Sequence, residues 1–114
     1  NIGFEIQKTV EAEGFSVVRD FCGHGIGKNF HESPNVLHYG EKNSGQELKA
    51  GMIFTVEPMI NSGKFETKTL KDGWTAVTKD KSLSAQFEHT VGVTKEGYEI
   101  FTLSKKGLNF PANL

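Results

Sequence analysis

Apolar residues recur along this chain with two periods, and the change of period marks its elements. At the start, Ile2, Ile6 and Val10 are spaced by four, with Asn1 at an N-cap position and Gly14 where a helix ends. This pattern predicts a helix over residues 2–13. Phe15-Ser16-Val17-Val18 is rich in β-formers and leads directly into a glycine-rich segment. Residues 28–50 are polar and carry Pro34, Gly40 and Gly45, which predicts a long loop with little regular structure. The apolar run over 52–57 predicts a strand that stops at Pro58, which has no N–H to give to a ladder. A short strand over 64–69, a hairpin pairing Trp74–Thr78 with Ala85–Val93, and a last strand over 98–102 complete the pattern, and the tail from Ser104 reads as irregular. One helix and about five strands, mostly antiparallel, make an α+β chain.

Two glutamates interrupt this pattern. Glu57 ends a run in which Ile53, Thr55 and Met59 share one strand face while Met52, Phe54 and Val56 share the other, so both faces are expected to be buried. A carboxylate in such a place must be paired, protonated or bound to a metal. Glu88 lies in the alternating run Ser84–Val93 and shares a face with Gln86 and Thr90; taken alone, that polar face reads as solvent-facing. Upstream, His24 stands in Cys22-Gly23-His24-Gly25-Ile26-Gly27. The glycine spacing fits neither a phosphate-binding loop nor a dinucleotide fingerprint, and Lys28 is followed by Asn29 rather than Ser or Thr. Glycines that bring backbone close to a ligand while presenting one imidazole fit better. His24, Glu57 and Glu88 together form a hard, mostly oxygen donor set with one nitrogen. The competing reading of Glu57 is a partnered structural acid at a strand end.

The remaining reactive side chains carry less. His31 lies outside the helical metal-pair spacing from His24 and is expected to be an outer donor or a substrate contact. His38 and His89 read as structural. Cys22 has no separate base and orienting group nearby in the sequence and reads as a small hydrophobe.

Bulk properties narrow the class. The chain has 114 residues, enough for one ordinary domain at most. Thirteen basic against fourteen acidic residues leave a net charge of −1, which gives no electrostatic case for DNA or a membrane surface. The sequence has neither an apolar run of spanning length nor a charged leader followed by an apolar region. A single cysteine cannot form an internal disulfide and fits a reducing, cytoplasmic setting. The chain opens on Asn rather than Met and directly on a predicted helix, as expected of a fragment or a processed chain.

Taken in order, Cys22-Gly23-His24-Gly25-Ile26-Gly27, Phe30-His31-Glu32, Gly51-Met52-Ile53-Phe54-Thr55-Val56-Glu57-Pro58-Met59 and Ser84-Ala85-Gln86-Phe87-Glu88-His89-Thr90 resemble type I methionine aminopeptidases. The resemblance runs over nearly the whole chain and covers the C-terminal half of that family's catalytic domain, so residues 1–114 are expected to be half of a single domain. It implies a pita-bread α+β fold, mostly antiparallel sheet with a flanking helix, around two divalent metal ions (cobalt, manganese, iron, zinc or nickel). It also implies hydrolytic removal of the N-terminal methionine of nascent peptides, with ribosome association. By position, His24 and Glu57 match ligands of one metal and Glu88 matches the glutamate that bridges both. His31 matches a substrate-contacting histidine at the developing oxyanion, and Phe30 and Trp74 match positions lining the methionine pocket. Glu57 also matches the proposed general base. The family's two aspartate ligands and a further histidine come from its N-terminal half; Asp20, Asp72 and Asp80 do not match them. The rival readings are a non-catalytic binding module on the same fold, which should have lost ligands, and a mononuclear enzyme using His24, Glu57 and Glu88 alone.

Overall fold

A computed structural model describes residues 1–105. Its helix α1 runs over Ile2–Ala12, and Gly14 closes it with a positive φ of 79°, a conformation glycine adopts without steric cost. Asn1 does not cap α1 through its side chain, contrary to the sequence pattern. Its Oδ1 instead accepts the Asn43 amide at 2.6 Å and ties the helix start to the 39–48 loop. Gly3 is buried because a Cβ there would sit 2.3 Å from the Tyr39 carbonyl oxygen, so the first turn packs directly on backbone.

Among the described residues ten short strands follow: β1 (Ser16–Val17), β2 (Gly23–Gly25), β3 (Glu32–Val36), β4 (Ile53–Val56), β5 (Met59–Asn61), β6 (Thr67–Thr69), β7 (Ala76–Thr78), β8 (Ser84–Gln86), β9 (His89–Val93) and β10 (Tyr98–Ile100). They form a five-stranded sheet in the order β10-β9-β4-β2-β3, a three-stranded sheet in the order β1-β5-β8, and the β6-β7 hairpin. Every pairing is antiparallel. No helix among the described residues is long and apolar enough to cross a membrane.

Three expectations from the pattern are corrected. The polar stretch 28–50 is not all loop: Glu32–Val36 forms edge strand β3, with Pro34 and Val36 turned inward and its polar residues outward. The 84–93 run is not one strand but two, β8 and β9, broken at Phe87-Glu88 and assigned to different sheets. Strand β7 therefore pairs with β6 rather than with the 85–93 run. For the tail from Ser104, residues 106–114 lie outside the described residues.

The core is small. Val10, Val17, Val18, Val36 and Phe54 form it among the described residues; in β4 Phe54 and Thr55, on opposite faces, are both 1% exposed, while Ile53 at the strand start is turned out to 39%. At the far end, Asp80 fastens the loop between β5 and β6 to the turn between β7 and β8. Its Oδ2 accepts the Lys64 amide at 2.8 Å and its Oδ1 the Ser82 amide at 3.0 Å. Hydrogen bonding by Ser82, then by the Lys64 amide, holds its carboxyl down from an ordinary 3.8 to about 2. A depressed carboxyl stabilises the fold above its unfolded value and loses that contribution as pH falls through the folded one. The Lys64 amide proton followed by NMR should therefore titrate with an inflection at about 2. An inflection near 3.8 would mean that the clasp does not hold Asp80 in solution.

Candidate metal centre

His24, Glu57 and Glu88 come from three neighbouring places in the five-stranded sheet. His24 is the middle residue of β2, Glu57 follows the last residue of β4, and Glu88 precedes the first residue of β9. Because β4 lies between β2 and β9, side chains about thirty residues apart in sequence meet. One potential ligand atom from each lies within 4.8 Å of the others. Two donors bound to one ion at ~2.0–2.3 Å stand no more than about 4.6 Å apart, so the three donors gather around one point at a spread just wider than a closed coordination shell. His24 and Glu57 are half-buried and Glu88 is exposed, so the solvent-facing reading of Glu88's strand face is correct for accessibility although the side chain turns toward His24.

The donor chemistry fits a divalent cation. His24 Nδ1 lies 3.0 Å from the Gly25 carbonyl oxygen, which can only accept, so in the neutral ring Nδ1 carries the proton and Nε2 the lone pair. That Nε2 faces Glu57 Oε1 at 3.5 Å. Glu57 is well held. Its Oε1 accepts the Thr55 hydroxyl at 2.8 Å, its Oε2 lies 3.5 Å from Gln86 Nε2, and its amide donates to His38 Nε2 at 3.1 Å. Thr55 and His38 are each 1% exposed. Burial pushes the His38 imidazole below its ordinary value against the opposing pull of the Glu57 carboxylate, which keeps the ring neutral and its Nε2 able to accept. His38 is thus structural, as its sequence setting implied, and props up Glu57. His89 is also structural, its Nδ1 hydrogen-bonded to the Thr102 hydroxyl at 2.7 Å.

His31 and Phe30 lie beside the cluster. The His31 ring centroid is 4.2 Å from that of His24 and 4.5 Å from that of Phe30. A local clasp holds the loop that carries them. Glu32 Oε2 accepts the Asn29 amide at 3.2 Å, and its Oε1 occupies space that a Cβ on Gly27 would take, only 1.9 Å away. Trp74 is placed differently. It is in the turn between β6 and β7, 89% exposed, with its amide bonded to Asp72 Oδ1, and no ring contact joins it to His24, His31 or Phe30 among the described residues. Cys22 is half-buried and free. Asp20 pairs with the Thr67 hydroxyl, and Asp72 and Asp80 organise turns, so none of the three enters the cluster.

Sequence reasoning missed Thr55 as a site residue. A β-branched residue in a strand attracts no notice, yet period two puts Thr55 on the same face as Glu57.

Residues 1–95 match the metallopeptidase family M24, and the chain belongs to that family. The fold is the α+β pita-bread architecture implied by the resemblance, mostly antiparallel sheet with a flanking helix. Among individual proteins, the chain is 60% identical over 112 residues to a methionine aminopeptidase of Rickettsia prowazekii, covering 97% of this chain and 43% of that protein. It is 64% identical over 104 residues to the methionine aminopeptidase of Escherichia coli K12, covering 91% of this chain and 39% of that protein. The solved R. prowazekii methionine aminopeptidase superposes with a TM-score of 0.86 at 61% identity, over 89% of this chain and 41% of the other. The Thermotoga maritima enzyme superposes with a TM-score of 0.83 at 46% identity, over 87% of this chain and 40% of the other. The chain therefore spans about two fifths of the length of the relatives it matches.

Proposed function

We propose that residues 1–114 are the C-terminal half of a methionine aminopeptidase catalytic domain. The observation that carries this reading is the convergence of His24, Glu57 and Glu88 on one point. The similarity to named methionine aminopeptidases supplies the substrate class, the N-terminal methionine of nascent peptides. In this reading His24, Glu57 and Glu88 would hold the divalent metal centre, with the other ligands coming from the N-terminal half. Cobalt, manganese, iron, zinc and nickel all suit the donor set. The ions, when bound, supply Lewis acidity to the scissile carbonyl and lower the pKa of a water.

The chain's own residues do the rest. Glu57, gripped through Oε1 by Thr55, takes up the proton of the attacking water. His31, next to His24, donates a hydrogen bond where negative charge develops on the substrate oxygen. Phe30, 71% exposed in this chain, forms one wall of an apolar pocket that selects an unbranched thioether by shape and sulfur–aromatic contact. Trp74 closes that pocket together with the N-terminal half, which accounts for its exposure here. The single half-buried thiol suits the cytoplasm, where nascent chains are met at the ribosome.

The test compares two proteins. Residues 1–114 alone should not hydrolyse a Met-Xaa peptide with added Mn²⁺, Co²⁺ or Fe²⁺ and should bind those ions weakly, because a half-built site forfeits much of the affinity of a preformed one. The same residues joined to an N-terminal half with the two aspartates should gain chelator-sensitive activity. Strong activity from the isolated chain favours the mononuclear alternative. A joined protein that neither binds metal nor cleaves is a binding module instead.

A further inference from the structure

We propose that Thr55 is the positioning residue that locks His24 and Glu57 into one metal-binding unit. The inference rests on the metal reading above and goes beyond it, because Thr55 itself touches neither ion nor substrate in that reading. Its hydroxyl makes two bonds of opposite sense. Oγ1 accepts the backbone amide of His24 at 3.0 Å and donates to Glu57 Oε1 at 2.8 Å. A hydroxyl has one proton, so the incoming amide proton leaves that proton for the carboxylate and fixes the polarity of the chain of bonds. The path then closes on itself, since Glu57 Oε1 stands 3.5 Å from Nε2 of the same His24 whose amide began it. One side chain, 1% exposed, thus sets the histidine backbone and the glutamate oxygen against each other.

The packing around it was built for this approach. A Cβ on Gly23 would lie 2.2 Å from the Thr55 carbonyl oxygen and 3.2 Å from Oγ1. Only glycine lets β2 come near enough to β4 there for the His24 amide to reach the Thr55 hydroxyl. A satisfied core hydroxyl with no bearing on the site is the ordinary role of a buried threonine, and it requires neither the close approach nor the return to His24.

The full-length protein tests this with Mn²⁺ as the probe, by calorimetric titration of the metal-free form, alongside its Tm. Thr55→Val keeps the shape and removes the hydroxyl. It should weaken Mn²⁺ binding by about 10–100-fold, the usual cost of losing an outer partner of a ligand. Thr55→Ser keeps the hydroxyl and should bind within about threefold of the wild type, since the partner of the ligand is retained. Should the valine variant not fold, Thr55→Ala leaves room for a water that satisfies the His24 amide without aiming the carboxylate, and the serine–alanine contrast gives the same reading. Equal affinities in all variants, a lowered Tm with unchanged affinity, or equal weakening by serine and valine would each overturn the proposal. Wild-type protein that binds no Mn²⁺ would instead sink the metal reading itself.

Discussion

Glu57→Gln in the full-length protein should abolish most of its aminopeptidase activity while leaving the metal-free fold intact. Glutamine has the same shape, and its carbonyl oxygen can still accept the Thr55 hydroxyl, so the local scaffold survives. Two things are lost together. The amide carries no charge to hold a cation against His24, 3.5 Å away, and it cannot accept the proton of an attacking water. Loss of a general base alone costs about 10²–10⁴ in rate. The weakened metal adds to that, so activity at limiting Mn²⁺ should fall further than activity at saturating Mn²⁺. Turnover within tenfold of the wild type would remove Glu57 from both roles.

The second large effect concerns His31. Its ring lies tilted beside that of His24, 4.2 Å between centroids, yet it is not one of the three converging donors. Replacing it with alanine should leave metal affinity close to that of the wild type and lower kcat by about 10²–10³, because an oxyanion donor acts mainly in the transition state. The split between binding and turnover is the informative measurement. A large fall in Mn²⁺ affinity would make His31 a ligand, and unchanged kcat would leave it a bystander.

The residues that converge were legible in the sequence because burying a carboxylate in an apolar run has so few solutions. Glu57 announced itself that way, and the glycine frame of His24 did the same for the imidazole. Strand pairing was harder. Alternation runs unbroken through Ser84–Val93, and nothing in side-chain polarity reveals that the chain leaves one sheet at Gln86 and joins another at His89. With that break unseen, Trp74–Thr78 was matched to the wrong partner, although its true partner, Thr67–Thr69, is nearer in sequence. Strand β3 was hidden for the opposite reason: as an edge strand with exposed Asn35 and an internal proline, it lacks the apolar density of a buried strand. Thr55 and His38 were visible as residues but not as props, because their partners are Glu57 and the backbone rather than each other.

The two glutamates occupy matching places in the topology. The chain passes from the five-stranded sheet to the three-stranded one between β4 and β5, at Glu57-Pro58, and returns between β8 and β9, at Phe87-Glu88. Both carboxylates therefore stand on the seam where the sheets meet, one on each crossing. A divalent ion held there would act as a rivet. It would resist movement of one sheet relative to the other, and stripping it with a chelator should loosen the amide protons of β5 and β8 before those at the centre of the larger sheet.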